Sequence, residues 1–235
     1  MLKDMDIYLG FDPGGDGRFG WAACSPEGGV LRPIATGQAG YAKDAVRQTL
    51  STLSGKGLIV GAGIDAPLFW AEDGGRRVDD LVRRAIRQLG AATPSGTVQH
   101  FNSLRGACLV QGVLTAKLLR DQLPHAAITE SHPKALLYLL GIANAQRDPA
   151  SITMPDLSNY VISDIGVGEH ERDALLAAIT ASAQKVRPQG WINLFEREIH
   201  PVVPFGYEVA YWMPWNLVEE RQTAGHPAPR LLTRR

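Results

Sequence analysis

Residues 58–65 read L-I-V-G-A-G-I-D, and this stretch decides the fold class. It is almost entirely apolar, which is typical of a strand buried on both faces of a sheet. Residues 41–54, which precede it, have the apolar spacing of an amphipathic helix, and Gly55 and Gly57 end that helix. A crossover helix followed by a doubly buried strand predicts an α/β sheet with parallel strands.

The segment before that helix predicts antiparallel strands. Residues 6–12, 18–24 and 30–36 have strand-like composition. Glycine-rich turns at 13–17 and 26–29 separate them. The three strands are therefore predicted to form an antiparallel meander.

The chain after residue 65 alternates between helical and strand-like patterns. We predict a five-stranded mixed sheet, the meander plus two parallel strands, with helices on both faces. One domain is expected over 1–186, with a helical insertion at about 68–122. Residues 187–235 are expected to be an extension packed on it, loose after about 224. The remaining predicted elements are helices at 76–89, 104–122, 133–140 and 169–185, a strand at 125–130 and a short element at 157–163.

Composition narrows the function classes. The 235 residues include 24 Lys+Arg and 24 Asp+Glu, so the chain lacks the excess charge of a protein that coats nucleic acid. Its two cysteines form no zinc-binding pattern, and a reducing cytoplasm is the expected compartment. No apolar run reaches the roughly 20 residues that span a bilayer, so no membrane contact is expected.

Three aspartates are predicted to converge. Asp12 ends the first strand, Asp65 ends the strand at 58–65, and Asp173 lies in the first turn of the helix at 169–185. The ends of neighbouring parallel strands border one crevice, and a helix can begin there. Converging carboxylates repel one another unless a proton or a cation lies between them. Mg²⁺ or Mn²⁺ suits such oxygen ligands, so the three aspartates are predicted metal ligands and catalytic residues.

Each of these acids also has a structural interpretation. Asp12 fits a turn, Asp65 fits a strand end, and Asp173 could interact with the helix dipole. Their joint placement favours a site. Glu130, at the end of the strand at 125–130, is a further catalytic candidate, as a fourth ligand or an outer support. His170 is another, because it lies three residues before Asp173 on the same helix face.

Substrate contacts are predicted from basic and polar residues after Asp65. Arg76 and Arg77 begin an arginine-rich helix that could face phosphate groups, or could be a solvated face balanced by neighbouring aspartates. Asn102 and Arg105 are further candidate substrate contacts.

The order of four short motifs resembles the ribonuclease H-like superfamily. It is most similar to the branch called domain-of-unknown-function family 429, a group of predicted nucleases, and the H-x-x-D-A-L-x-A pattern also resembles Holliday-junction resolvases. The resemblance covers about residues 6–185. The motifs are G-F-D-P-G with G-W-A, G-I-D-A-P, E-S-H-P and E-R-D-A-L-L-A-A.

This resemblance implies a ribonuclease H-like domain and two-metal phosphodiester hydrolysis. Residue by residue, it makes Asp12, Asp65 and Asp173 metal ligands, and Glu130 matches the branch's E-x-H-P motif. One departure is visible: ribonucleases H carry a catalytic Glu on the first crossover helix, whereas residues 41–54 contain only Asp44. That departure argues against ribonuclease H activity in the strict sense.

The expected function is that of a metal-dependent nuclease or phosphodiesterase acting on DNA or RNA, with Mg²⁺ or Mn²⁺ as cofactor. Two alternatives stay open: an actin-like nucleotide-binding ATPase, and a catalytically inactive binding module of the same fold. A homodimer is compatible with each of these functions.

Overall fold

The computed structural model describes residues 5–15, 17–72, 75–91, 106–142, 152–162, 167–206 and 208–215. Within these residues the chain forms nine β-strands and five α-helices, joined by turns and short 3₁₀ helices. In chain order they are β1 (Asp6–Asp12), β2 (Phe19–Glu27), β3 (Val30–Ala39), α1 (Ala42–Thr52), β4 (Leu58–Ile64), β5 (Trp70–Ala71), α2 (Arg77–Gln88), α3 (Gly106–Gln122), β6 (Ala127–Glu130), α4 (Pro133–Leu139), α5 (Glu169–Val186), β7 (Trp191–Asn193), β8 (Pro201–Val202) and β9 (Ala210–Pro214).

Seven of the strands form one mixed sheet in the order β3-β2-β1-β4-β6-β9-β7. β1, β2 and β3 are the predicted antiparallel meander, and β4 and β6 extend it in parallel. The predicted α/β class with a mixed sheet is confirmed.

The predicted strand number, five, is wrong. The segment after residue 187 supplies β9, which pairs in parallel with β6, and β7, which pairs antiparallel with β9. Both strands are short and lie in a Pro- and Trp-rich segment, and A-Y-W-M-P is buried at every position, so it shows no alternation. This part of the predicted extension therefore completes the sheet edge.

Helices cover both faces of the sheet. Trp21 Nε1 on β2 donates a 3.1 Å hydrogen bond to Gln48 on α1. A Cβ added at Gly112 on α3 would lie 3.7 Å from Ile64 Cγ2 on β4. Gly63, the neighbour of Ile64, faces α5 instead. Because successive side chains of a strand point to opposite faces, α3 and α5 lie on opposite sides of the sheet.

Helix α5 lies against the middle of the sheet and is buried along most of its length, from Arg172 to Ala183. A helix that is apolar around its circumference is typical of a core element. Among the described residues, no helix is long and apolar enough to cross a membrane.

Candidate active site

Two of the predicted acids leave the sheet side by side. Asp12 is the last residue of β1, and Asp65 directly follows β4. The strands are parallel, with Phe11 opposite Ile64, and the Asp65 N–H donates a 2.9 Å hydrogen bond to the Phe11 carbonyl. The backbone ladder thus continues up to both aspartates, and strand alternation turns both side chains to the same face.

Helix α5 carries the third acid to that face. A Cβ added at Gly10 would lie 1.7 Å from the Ala174 carbonyl oxygen, and one at Gly63 would lie 2.0 Å from the Ala177 carbonyl oxygen. These glycines, each two residues before an aspartate, let the α5 backbone rest directly on the strands. Asp173 precedes Ala174 by one residue, which brings its carboxylate to the strand ends.

The three carboxylates act on one another electrostatically. Burial raises the pKa of Asp65 well above its ordinary range, and the charges of Asp12 and Asp173 raise it further. Burial also raises the pKa of Asp173 to about 6 against the opposing effect of Arg172, and Asp12 adds to the rise. The structure therefore brings together Asp12, Asp65 and Asp173, which are called the strand-end acids below.

Two groups at the strand ends have polar atoms without partners among the described residues. No described residue donates a hydrogen bond to the Asp65 carboxylate. Ser131 is fully buried, and its Oγ finds no hydrogen-bond partner in the described part of the chain. Ser131 follows Glu130 as Asp65 follows Ile64, and its N–H donates a 2.7 Å hydrogen bond to the Ile64 carbonyl. Ser131 therefore continues the row of strand-end positions beside Asp65.

His170 is bound to Asp12. Its Nδ1 lies 2.6 Å from Asp12 Oδ2, and this hydrogen bond raises the pKa of His170. Glycines make room for it: a Cβ at Gly14 would lie 2.7 Å from the imidazole ring, and one at Gly20 would lie 2.2 Å from the His170 carbonyl oxygen. The structure thus brings His170 to the strand-end acids through a direct contact with one of them.

Two cationic side chains border the strand-end acids. Arg172 donates to Asp173 Oδ1 from Nε at 3.0 Å and from Nη2 at 2.7 Å. Lys134 Nζ lies 3.3 Å from Glu169 Oε1, and Arg172 Nη2 lies 4.0 Å from the same oxygen. The Lys134 charge also lowers the pKa of both Asp65 and Asp173. Lys134, Glu169 and Arg172 are therefore one ion group, called the fixed ion group below.

Sequence reasoning did not assign the fixed ion group to the site. The available signals were local: Lys134 directly follows the E-S-H-P motif, and Arg172 directly precedes Asp173. Neither residue could be assigned to the site from the sequence, because the assignment requires the positions of α4 and α5 relative to the strand ends.

A second acid cluster lies on the other face of the sheet. Glu130 is opposite Ile64 in the ladder, so it faces away from α5. Its carboxylate is fully buried and accepts hydrogen bonds from Arg76 Nη1 and Nη2, both at 2.8 Å, and from the Leu68 N–H at 2.9 Å. The interpretation of Glu130 as a fourth ligand is therefore corrected: both of its oxygens are engaged by Arg76.

The guanidinium of Arg76 connects Glu130 to the other acid of this second cluster. It also binds Asp79 through Nε, at 3.0 Å, and through Nη2, and it lies 4.8 Å from the centre of the Phe69 ring. On the far side of Glu130, His132 Nδ1 lies 2.6 Å from the Tyr211 hydroxyl, and burial lowers the pKa of His132. The Arg76 network is defined as Arg76, Asp79, Glu130, His132 and Tyr211.

The Arg76 network contains a possible metal-ligand spacing. Ligand atoms of Asp79, Glu130 and His132 lie within 4.8 Å of one another, which could hold a metal ion. Arg76, however, already engages both carboxylates, and Tyr211 engages His132. A metal ion would have to displace a buried guanidinium, so the donor set fits an internal ion-pair network better than a metal centre.

The predicted substrate contacts fall into three groups. Arg76 has a side chain with 0% exposure, so its predicted contact with substrate is corrected to an internal ion pair. Arg77, the next residue, is exposed at the start of α2, and its role stays a prediction. Asn102 and Arg105 lie outside the described residues.

Comparison of the chain with protein-family models, with curated proteins and with solved structures finds no match.

Proposed function

We propose that the protein is a divalent-metal-dependent nuclease or phosphodiesterase whose active site is formed by the strand-end acids. The observation that carries the proposal is the meeting of three carboxylates at one end of the sheet, where burial, and after it their mutual repulsion, raises the pKa values of Asp65 and Asp173. Perturbed carboxylates that lack full compensation are typical of functional sites.

The architecture supports this proposal. Within the seven-stranded sheet, the order β3-β2-β1-β4-β6 is an antiparallel meander followed by two parallel strands, which supports the ribonuclease H-like resemblance. The positions of the acids, at the ends of β1 and β4 and in the first turns of α5, support it as well.

The donor set fits Mg²⁺ or Mn²⁺. Asp12, Asp65 and Asp173 offer hard carboxylate oxygens, and the unpartnered Ser131 Oγ lies in the same row. When bound, a divalent cation lowers the pKa of a coordinated water and stabilises negative charge on phosphate oxygens.

The protein residues have separate tasks in this scheme. The strand-end acids hold the cation. His170 fixes the orientation of Asp12 through Oδ2 and can hold a proton beside the site, since the same hydrogen bond raises its pKa. Glu130 is a positioning residue, because it holds Arg76 and the Leu68 N–H in the segment that follows Asp65.

The test is hydrolysis of single-stranded and duplex DNA, RNA, a hybrid duplex, a branched DNA and nucleotides, with Mg²⁺ or Mn²⁺. Asp12→Asn should lose activity more than about 100-fold, since even outer partners of a metal site cost about 10- to 100-fold. Asp6→Asn is the matched control: Asp6 lies at the opposite end of β1 and pairs with Lys185 at 2.6 Å.

Three outcomes would contradict the proposal in different ways. Equal cleavage by wild type and Asp12→Asn would show that the active site lies elsewhere. Hydrolysis of nucleotides alone would favour the ATPase alternative. Absence of cleavage on every substrate, together with absence of Mn²⁺ binding, would favour a binding module.

A further inference from the structure

The fixed ion group places positive charge where the strand-end acids need compensation. Arg172 is held on Asp173 by two hydrogen bonds and also donates to the Ile152 carbonyl at 2.9 Å. Lys134 acts on Asp65 and Asp173 and is tied to Glu169. Both cations come from the protein itself: Arg172 is buried against Asp173, and Lys134 is partly exposed beside Glu169.

The fixed contacts also limit the number of free donor atoms. Asp12 Oδ2 is engaged by His170, and Asp173 Oδ1 is engaged by Arg172. Counting contacts within the described residues, the atoms left are one oxygen on each of these aspartates, both oxygens of Asp65 and the unpartnered Ser131 Oγ. Mg²⁺ takes about six ligands and keeps several waters, so this set suffices for one ion. A pair of ions roughly 4 Å apart would have to share it.

The first crossover helix adds no acid to this set. Asp44 on α1 accepts a 3.0 Å hydrogen bond from Arg47 at the protein surface. Helix α1 also packs on the face of the sheet opposite to α5. Within the described residues, a fourth strand-end carboxylate from α1 is therefore excluded.

The formal charge of the site also indicates one ion. With a cation bound and His170 neutral, the strand-end acids and Glu169 carry four negative charges, and Lys134 and Arg172 carry two positive charges. The remaining charge of about −2 is neutralised by one divalent cation, whereas two would leave an excess of positive charge in a partly buried site.

We infer that the strand-end acids take one divalent cation, and that the fixed ion group supplies the positive charge that a second cation would bring. This inference rests on the proposed metal-dependent function. It departs from the two-metal hydrolysis that the family resemblance implies.

The test is titration of the metal-free protein with Mn²⁺ at pH 7.5. Calorimetry measures the binding, and electron paramagnetic resonance measures the free Mn²⁺. One ion per chain is expected. Two ions per chain would overturn the inference while leaving the metal-dependent function intact. Absence of binding would overturn the proposed function as well.

Lys134→Gln tests the fixed charge separately. Lys134 has a side chain with 37% exposure, so the variant should fold. It should still bind one Mn²⁺ but roughly three- to tenfold more tightly, because a repelling positive charge has been removed. The matched control is Lys117→Gln on α3, a surface lysine paired with Asp121. Equal Mn²⁺ affinity in wild type and Lys134→Gln would show that Lys134 does not supply charge to the site.

Discussion

The strand-end acids and the Arg76 network lie at the same end of the sheet, on opposite faces, and they balance their charges differently. In the Arg76 network, one guanidinium binds both carboxylates in the absence of any ligand. Among the strand-end acids, Asp65 has no hydrogen-bond donor within the described residues. The first arrangement is complete as it stands, whereas the second is suited to an added cation.

This comparison separates a structural acid cluster from a functional one more sharply than the spacing of ligand atoms does. Ligand atoms in the Arg76 network are close enough to hold a metal ion. Compensation, rather than proximity, distinguishes the two clusters, because a carboxylate already bound by a buried arginine gains little from a metal ion.

The largest expected effect comes from removing the central cation of the Arg76 network. Arg76→Met should destabilise the protein by about 3–5 kcal/mol, because it leaves Asp79 and Glu130 buried without a partner. Urea unfolding followed by circular dichroism measures this. Arg77→Met, a change at the exposed neighbour, is the control and should stay within about 0.5 kcal/mol.

Adding Glu130→Gln to Arg76→Met should recover part of the loss, because one of the stranded charges is removed. A stable Arg76→Met single variant would contradict the description of the Arg76 network as a compensated internal cluster.

The next largest effect is expected from Asp65→Asn, which should lower activity but raise stability. Asp65→Asn should reduce metal-dependent hydrolysis more than about 100-fold. In metal-free protein near pH 7.5 it should raise Tm, because the folded state no longer holds a third repelling carboxylate. In a protein of this size, each 1 kcal/mol corresponds to about 2–4 °C.

Asp79→Asn is the matched comparison for that experiment. It removes a carboxylate that Arg76 binds, so it should lower Tm. If Asp65→Asn lowered Tm as well, the two clusters would not differ in compensation, and the interpretation of Asp65 as an unbalanced acid would be wrong.

A change of pH should have a smaller effect, which is on Mn²⁺ affinity. The pKa of Asp173 is raised to about 6, so a proton competes with a cation at this carboxylate below that pH. The contribution of Asp173 to Mn²⁺ affinity should therefore be nearly constant above pH 7 and should fall roughly tenfold by pH 5 for this one proton. Titrations at pH 5, 6 and 7.5 measure it, and affinity that does not change over this range would contradict the coupling of Asp173 to the cation.

Protonation of Asp173 should also make folding stability depend on pH. The folded metal-free protein binds more protons at Asp173 than the unfolded chain between about pH 4 and pH 6. The contribution of Asp173 to stability therefore falls as pH rises through this window, and saturating Mn²⁺ should cancel the fall.

The smallest effect is expected at Arg77. Arg77→Ala should weaken nucleic-acid binding a few-fold and reduce the salt dependence by about one unit of slope, if this exposed residue contacts one phosphate. Fluorescence anisotropy over a salt series measures both quantities. Arg47→Ala, an exposed arginine on α1, is the control. Unchanged affinity for Arg77→Ala would remove Arg77 from the substrate surface.

Much of the fold is predictable from local pattern. Doubly buried strands, helices with a clear apolar stripe and alanine-rich helices give strong signals. The striped helix expected over 76–89 is found as Arg77–Gln88, and the alanine-rich helix expected over 169–185 is found as Glu169–Val186. Strands β7 and β9 were not predictable in this way. They are three and five residues long, and their pairing depends on contacts with each other and with β6.

The strand-end acids are predictable because parallel strands end together, which places Asp12 and Asp65 side by side. The residues that surround these acids are not predictable from their spacing in the sequence. Arg76 and Glu130 are 54 positions apart, and only the folded chain shows that a residue in an arginine-rich helix start is fully buried. The same limit applies to Lys134, since its role depends on where α4 begins relative to α5.

The contact between α5 and the glycines of β1 and β4 has a consequence during synthesis. His170 and Asp12, which this contact brings together, are 158 positions apart. At about 5–20 residues per second, a ribosome needs roughly 8–30 s to extend the chain from one to the other. The nascent chain can form the meander early, but any activity that needs all three carboxylates must wait for α5 to emerge and dock.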